Sequence, residues 1–213
     1  ILLVTPNNPS GAEDPAEVLR GFYDLARAHG LALIVDETYR DFDSRDTAPH
    51  GLFSDPDWGE VLIHLYSFSK AYRLTGHRVG ALVASGTRQV QVEKLLDTLS
   101  ICTGQLGQIG ALWGMQNLGD WLAAERQEIL RRRMAMERAV AGLDGWRLKG
   151  CGAYFAWVEH PFAADSATLA QRLVHEAGVL LLPGTMFMPK DDPDGARHLR
   201  IAFANIDEAG IAA

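Results

Sequence analysis

The sequence predicts an α/β fold, in which a mostly parallel sheet with helices on both faces is followed by a smaller α/β unit. Four short runs within the first 84 residues are mostly apolar, which is typical of strands buried on both faces of such a sheet. A helical pattern separates the first run from the second. After Gly150 a long helical stretch gives way to short apolar runs, and this change indicates the second unit.

The elements of the first unit are predicted from apolar runs and from the residues that punctuate them. A helix is predicted from Asp14 to His29, because Asp14 suits an N-cap, Pro15 the first helical position and Gly30 the residue after the last turn. Strands are predicted at residues 1–4, 31–35, 61–66 and 79–84. Polar residues follow the first three strands, at the sheet edge where parallel sheets build their sites.

The second part of the chain begins with helices. The pattern is helical from about Thr87 to Leu143, and residues 120–143 are predicted to form one long amphipathic helix. Later strands are predicted at residues 153–158, 179–182 and 198–203, with a helix near residues 166–176. We therefore place a domain boundary near residue 120, which gives domains of residues 1–119 and 120–213. Residues 205–213 indicate the opening of a further helix.

Composition and charge argue against several classes of protein. The formal net charge is −7, which is opposite in sign to a nucleic-acid-binding surface. No apolar run is long enough to span a membrane. The only cysteines, Cys102 and Cys151, form neither a disulfide framework nor a zinc-ligand spacing. We therefore expect a cytoplasmic protein that needs no metal, no nucleic acid and no membrane.

Lys70 is the strongest candidate for chemistry, because it follows a predicted buried strand and precedes a glycine-containing turn. A lysine that is partly desolvated near other cations can form a Schiff base with an aldehyde. A lysine after a strand is otherwise an ordinary solvated loop residue. Only Lys94, Lys149 and Lys190 could take its place.

Other polar residues near the strand ends are also candidates, and Asp36 and Tyr39 have two interpretations each. Asp36 ends the second strand, where it could face a cationic pyridinium N–H or cap a helix that starts at the next residue. Tyr39 could donate to a phenolate oxygen or be a core tyrosine. Ser67 and Arg78 bracket Lys70 in the sequence and could cradle a phosphate.

Arg200 lies within the apolar run at residues 198–203, where a guanidinium needs an anionic partner. That partner could be a substrate carboxylate, bound in the bidentate geometry that suits arginine, or a structural acidic residue.

Four motifs then occur in a fixed order: Thr-Pro-Asn-Asn-Pro-Ser-Gly at residues 5–11, Asp-Glu-Thr-Tyr at 36–39, Ser-Phe-Ser-Lys at 67–70 with Arg-Val-Gly at 78–80, and Leu-Arg-Ile-Ala-Phe at 199–203. With these motifs the sequence resembles the class I/II aminotransferases, pyridoxal-phosphate enzymes of the fold-type I (aspartate aminotransferase-like) superfamily. The resemblance covers essentially the whole chain. It implies that residues 1–119 are the C-terminal part of the large cofactor-binding domain and residues 120–213 the small domain with a long connecting helix.

The resemblance implies that six side chains bind pyridoxal 5'-phosphate: Asn8, Asp36, Tyr39, Ser67, Lys70 and Arg78. Lys70 resembles the lysine that forms the Schiff base and moves a proton between Cα and C4′. Asp36 resembles the partner of the pyridine nitrogen, while Tyr39 and Asn8 resemble the donors to the ring oxygen O3′.

The phosphate and the substrate complete the implied site. Ser67 and Arg78 resemble phosphate ligands, and Arg200 resembles the clamp on the substrate α-carboxylate, with Asn8 beside it. The resemblance also implies a cis Asn8–Pro9 peptide bond. Two residues depart from the family pattern, since Ser10 stands where a threonine is usual and Met188 where a glycine is usual.

The resemblance implies an aminotransferase that moves an amino group from an amino acid to a 2-oxo acid, and that forms a homodimer as the full-length protein. The family's upstream half, with its ring-stacking aromatic residue and interface residues, is not in this sequence. We therefore expect this chain to be a piece of a longer parent, and to be inactive or poorly soluble by itself. Two alternatives stay open: another fold-type I enzyme (a lyase, synthase or decarboxylase) and the aminotransferase-like effector domain of a transcription regulator.

Overall fold

The computed structural model describes residues 1–212, which contain eight strands and eight α-helices. These residues pack as two compact units. The first unit comprises Ile1–Pro6 and Glu13–Arg126, and the second comprises Asn7–Ala12 and residues 127–212. By packing, the division falls at residue 126, and the loop at residues 7–12 belongs with the second unit. The functional assignment of two domains stays a prediction.

A four-stranded sheet forms the centre of the first unit, with the order β1-β2-β3-β4. The strands are β1 (Leu2–Val4), β2 (Leu33–Asp36), β3 (Leu62–Ser67) and β4 (Gly80–Val83). The first three strands are parallel, and β4 runs antiparallel to β3. The predicted α/β class with a mostly parallel sheet is confirmed.

The first unit contains several helices, and α1 contributes to its apolar core. The helices that begin in this unit are α1 (Ala16–Ala28), α2 (Trp58–Val61), α3 (Phe68–Ala71), α4 (Gly86–Leu99), α5 (Gln105–Asn117) and α6 (Gly119–Ala141), of which α6 continues into the second unit. Leu19, Tyr23 and Ala26 lie on one face of α1 at helical spacing, and all three are fully buried. They join Leu33 and Leu62 of the sheet in one apolar cluster.

The start of α1 differs from the prediction. Pro15 has extended backbone angles and occupies the N-cap position, so the helix begins one residue later than a proline at the first helical position would place it. The backbone N–H of Asp14 donates to the hydroxyl of Thr5 at 2.9 Å. Asp14 is therefore tied to the strand end and is not the N-cap.

The second unit has its own antiparallel sheet, with the order β5-β6-β8-β7. Its elements after α6 are β5 (Arg147–Gly152), β6 (Phe155–Glu159), α7 (Ser166–Ala177), β7 (Leu182–Pro183), β8 (His198–Ala202) and α8 (Glu208–Ala212). The loop at residues 7–12 packs directly on β5. A Cβ atom on Gly11 would lie 2.4 Å from the backbone nitrogen of Gly152, so this approach needs a glycine.

Four strands differ from their predictions. β5 was not predicted, because its sequence Arg-Leu-Lys-Gly-Cys-Gly has no uniform apolar run. β7 has only two residues, and Leu180 before it is 81% exposed. The expectation of burial on both faces is wrong within residues 1–212 for the two edge strands of the first sheet, since Leu2 of β1 is 61% exposed and Leu82 of β4 is 36% exposed.

Helices α4 and α5 leave many apolar side chains exposed. Helix α4 buries none of its residues, and α5 buries only small ones. The exposed apolar side chains include Val90, Leu95, Leu96, Leu99, Leu106, Ile109, Leu112, Trp113 and Met115. Within residues 1–212, no helix combines the length and the apolar character that a membrane span requires.

Candidate active site

The candidate residues of the first unit gather where β2 and β3 end. These two strands are parallel and pair Asp36 with Leu65, so their carboxyl ends lie at the same edge of the sheet. Asp36 is the last residue of β2, and Ser67 is the last residue of β3. Helix α3 begins at once after β3 and carries Lys70 in its only turn. The structure therefore brings Asp36, Ser67 and Lys70 to one edge.

Lys70 is half-buried in the short helix α3. The neighbouring side chains Phe68 and Ala71 are buried and anchor the helix, and Phe68 packs against Val79 and Ala111. Within residues 1–212, the Nζ atom of Lys70 makes neither a hydrogen bond nor an ion pair. The amine is therefore held by a fixed backbone and is not committed to another side chain.

The Asp36 carboxylate is held through one of its oxygens. Its Oδ1 atom accepts hydrogen bonds from the backbone N–H of Thr38 at 3.0 Å and from the Thr38 hydroxyl at 2.7 Å. The first helical turn after β2 begins only at Arg40, with Tyr39 at its N-cap position. The alternative in which Asp36 caps a helix starting at Glu37 is therefore wrong. The Asp36 side chain forms an Asx-type turn instead.

The other three candidates of this unit differ in exposure. Tyr39 is buried, with 6% of its surface exposed. The Ser67 hydroxyl accepts from the backbone N–H of Ser69 at 3.3 Å and so serves as the N-cap of α3. Arg78 is exposed, has a left-handed backbone (φ 51°) and donates to the carbonyl of Thr75 at 2.9 Å.

The turn that carries Arg78 leads back toward the end of β3. The Phe68 N–H donates to the carbonyl of Val79 at 3.3 Å, at the start of the antiparallel pairing between β3 and β4. A Cβ atom on Gly80 would lie 2.8 Å from the carbonyl oxygen of Tyr66, so glycine allows this close approach. The chain after Arg78 therefore leads directly back to the sheet edge at which Ser67 lies.

Asn8 and Arg200 meet in the second unit. The Nη1 atom of Arg200 donates to the side-chain oxygen of Asn8 at 2.9 Å, although the two residues are 192 positions apart. The guanidinium carbon of Arg200 also lies 4.9 Å from the ring centroid of Phe155 and 4.9 Å from that of Phe187. Two aromatic rings therefore flank a planar cation, which is a favourable arrangement.

Hydrogen bonds within the loop that carries Asn8 stabilise its conformation. The side-chain oxygen of Asn7 accepts from the backbone N–H of Ser10 at 3.1 Å and from its hydroxyl at 2.8 Å. A serine at position 10 therefore supplies the hydroxyl that a threonine would. The predicted cis Asn8–Pro9 bond is confirmed, and the Thr5–Pro6 bond is also cis.

Sequence reasoning missed a buried charged cluster around Glu37. This residue is fully buried, and its carboxylate contacts His64 Nε2 at 2.7 Å, Arg40 Nη1 at 3.1 Å and His50 Nε2 at 3.4 Å. The backbone N–H of Leu52 donates to His50 Nδ1, which leaves the proton of a neutral ring on Nε2, facing Glu37. The signal in the sequence was a histidine inside the apolar third strand.

The first unit also has an open cleft of about 320 Å³, lined by residues 40, 41, 43, 45–49, 122, 123 and 126. Charged side chains that line the cleft already make ion pairs or hydrogen bonds within the protein. Arg45 pairs with Asp43, and Arg126 donates to the backbone carbonyl oxygens of Asp43 and Arg45, both at 2.8 Å. We assign the candidate residues to the strand ends and not to this cleft.

Comparisons with known proteins identify the family of this chain. The family model for aminotransferase class I and II matches residues 1–213. The aromatic aminotransferase ISS1 of Arabidopsis thaliana is 26% identical over 218 residues, which cover 100% of this chain and 52% of that protein. The arginine–pyruvate transaminase AruH of Pseudomonas aeruginosa is 30% identical over 94% of this chain and 50% of its own length.

Solved structures include similar folds. The probable N-succinyldiaminopimelate aminotransferase from Thermus thermophilus has a TM-score of 0.86 and 27% sequence identity, over 99% of this chain and 55% of that one. The chain thus spans about half the length of the relatives it matches. Because the family model matches the whole sequence, this chain belongs to the class I and II aminotransferases.

Proposed function

We propose that the full-length protein carrying this chain is a pyridoxal-phosphate-dependent aminotransferase that moves an amino group from an amino acid to a 2-oxo acid. The observation that carries the proposal is Lys70, a half-buried and uncommitted amine at the end of β3. It shares the sheet edge with Asp36, a carboxylate. Family membership supports the same reaction. The homodimer and the cytoplasmic location are part of this proposal.

The chemistry of the candidate residues fits pyridoxal phosphate. When bound, this cofactor supplies an aldehyde and an electron-accepting ring. Asp36 would face the ring nitrogen, because a carboxylate keeps a neighbouring N–H protonated. Ser67 and Arg78 would bind the phosphate through a hydroxyl and a guanidinium. Tyr39 and Asn8 would donate to the ring oxygen.

Lys70 would carry out the covalent and proton-transfer work. Its Nζ atom is the nucleophile, and once displaced by the substrate amine it can accept the proton from the substrate Cα and hold it for return at C4′. The fixed backbone of α3 supports this role, because an oriented base avoids the entropy cost of finding its proton.

Arg200 would bind the α-carboxylate of both substrates. Its guanidinium carbon lies 4.9 Å from the ring centroids of both Phe155 and Phe187, and these contacts favour one orientation of the fork of N–H donors. The Asn8 side chain holds one end of the fork at 2.9 Å. A carboxylate that replaced or joined this contact would gain charge-assisted hydrogen bonds.

The test traps the cofactor on its lysine. Wild type, Lys70→Ala and the control Lys94→Ala are incubated with pyridoxal phosphate, reduced with borohydride and mapped by peptide mass. Lys94 is a suitable control because it is an exposed lysine on α4 whose amine donates to Gln91 at 3.2 Å. We expect the adduct on residue 70 in wild type and in Lys94→Ala, and none in Lys70→Ala. An adduct that persists on Lys149 or Lys190 in Lys70→Ala would contradict the proposal.

The reaction type is tested separately. The full-length protein is incubated with amino acids and 2-oxoglutarate, and glutamate is measured. If no amino group moves while pyruvate, ammonia or a coupled product appears, the protein is a lyase, synthase or decarboxylase of the same fold. Binding of pyridoxal phosphate without any turnover would favour the effector domain of a regulator.

A further inference from the structure

Within residues 1–212, the hydrogen bonds that orient the Asp36 carboxylate both come from Thr38. Both of its hydrogen bonds go to Oδ1, from the backbone at 3.0 Å and from the hydroxyl at 2.7 Å. The other oxygen of Asp36, Oδ2, has no hydrogen bond in the part of the chain that the structure describes, residues 1–212. The carboxylate is therefore fixed on one side and open on the other.

The donors on Thr38 are held in place by the residues around them. The backbone N–H of Glu37 donates to the carbonyl of Leu65 at 2.9 Å, and the N–H of Arg40 donates to the carbonyl of Glu37 at 3.0 Å. The buried Glu37 carboxylate further ties this segment to His64 of β3. The loop is therefore anchored on both sides of Thr38, and the hydroxyl meets Asp36 without any rearrangement.

We propose that Thr38 is a positioning residue for the ring nitrogen of the cofactor, acting through Asp36 without touching the ring. The proposal rests on the proposed function, because it assumes that Asp36 faces pyridoxal phosphate. The Thr38 hydroxyl holds Oδ1, so Oδ2 is the oxygen of Asp36 that would accept from the pyridinium N–H. Aminotransferase chemistry needs that nitrogen protonated, so Thr38 supports the electron-accepting state of the ring.

The physical reason is the orientation of the carboxylate. Two donors at Oδ1 hold the carboxylate plane in one position, so Oδ2 stays available to accept a charge-assisted hydrogen bond from the ring N–H. That hydrogen bond favours the protonated form of the ring nitrogen. Without the hydroxyl, the carboxylate keeps only the weaker backbone donor and turns more freely. Both effects lower the protonated fraction of the ring nitrogen.

The experiment compares variants that differ in the hydroxyl only. Thr38→Val removes the hydroxyl and keeps the shape and the backbone donor, whereas Thr38→Ser keeps the hydroxyl. Thr98→Val is the matched control, because Thr98 is exposed on α4 and its hydroxyl donates only to the Leu95 carbonyl within the same helix. Thr38→Ala is compared with Thr38→Ser if the valine variant does not fold. The full-length proteins are loaded with pyridoxal phosphate labelled with ¹⁵N at the ring nitrogen.

Two quantities are measured for each holoenzyme: the ¹⁵N chemical shift of the ring nitrogen, and the dissociation constant of the cofactor. We expect Thr38→Val to move the shift toward that of unprotonated pyridine and to weaken cofactor binding about tenfold, the loss of one hydrogen bond to a charged group. Thr38→Ser and Thr98→Val should match wild type. A purely structural role for Thr38 would lower the melting temperature and leave the ¹⁵N shift unchanged.

The outcomes separate this proposal from the proposed function. If wild type binds pyridoxal phosphate at Lys70 and Thr38→Val has the wild-type ¹⁵N shift, the role of Thr38 is refuted and the proposed function stands. The role is equally refuted if Thr38→Ser moves the shift as far as the variants without a hydroxyl. A wild type that binds no pyridoxal phosphate refutes both together.

Discussion

Replacing the buried Glu37 by glutamine should destabilise the first unit in a pH-dependent way. Burial by itself raises the pKa of this carboxyl, but the imidazoles of His50 and His64 and the charge of Arg40 outweigh burial and hold its pKa at about 2. The ordinary value is 4.5. Glu37 is therefore a carboxylate whose charge is matched by its neighbours, and Glu37→Gln removes the charge while keeping the shape.

The size of the effect follows from the two pKa values. The difference between 4.5 in the unfolded chain and about 2 in the folded protein, at about 1.36 kcal/mol per pKa unit, corresponds to about 3 kcal/mol of stability. Because the folded pKa is the lower one, this stability is fully present above pH 4.5 and is lost as the pH falls toward 2. Glu37→Gln should therefore cost about 3 kcal/mol at pH 7, in line with breaking a buried ion pair.

The assay is urea unfolding of the full-length protein at pH 7, 5, 4 and 3. Tryptophan fluorescence follows the transition, since Trp58 packs on the core of the first unit and its ring centroid lies 5.1 Å from that of Phe53. Hydrogen exchange of the β2 and β3 amides gives a local readout. The control is Glu176→Gln, an exposed carboxylate paired with Arg172 on α7, which should leave the midpoint unchanged.

The reasoning predicts that the stability difference between wild type and Glu37→Gln shrinks as the pH falls below 4.5. A difference that stays constant from pH 7 to pH 3 would show that lost packing, and not lost charge, explains the effect. A loss no larger than that of Glu176→Gln would refute the matched-charge account altogether.

Three further predictions concern other parts of the chain. Gly11→Ala should destabilise the second unit by more than about 2 kcal/mol in thermal unfolding, because a Cβ atom there would lie 2.4 Å from a backbone atom and φ is +70°. The control Gly21→Ala in α1 should be neutral or stabilising, because a Cβ atom there meets nothing within 4 Å. Phe187→Leu should raise KM for the amino acid and the 2-oxo acid by about threefold to tenfold with kcat unchanged, because it removes one ring from Arg200; a drop in kcat alone would contradict this. Residues 1–213 expressed alone should self-associate through the exposed apolar side chains of α4 and α5, and a monodisperse monomer in light scattering would contradict this.

Much of the fold was predictable because its signals are local. Mostly apolar runs predicted β2 and β3, and glycine and proline predicted the ends of α1 to within a few residues. The antiparallel direction of β4 was not predictable, because an apolar run looks the same in either direction. β5 was missed because an edge strand with glycines and charged residues carries no apolar pattern.

The candidate site was predictable to a similar extent. Lys70, Asp36 and Ser67 follow from their position after apolar strands, where parallel sheets gather polar groups. The resemblance supplied their expected partners in the cofactor. Thr38 was not singled out, although an Asp followed two residues later by a Thr is the local signal of an Asx-type turn.

The sequence by itself determined the strands of the first sheet and the polar side chains that stand at their ends, because side-chain chemistry and backbone preference act over a few neighbouring residues. Only the tertiary structure decided the contacts between distant segments. Asn8 meets Arg200 across 192 positions, and Glu37 meets His64 across 27. The physical reason is that a buried charged side chain needs a polar partner, and tertiary packing decides which residue lies close enough to be that partner. The local sequence around the charged residue does not specify it.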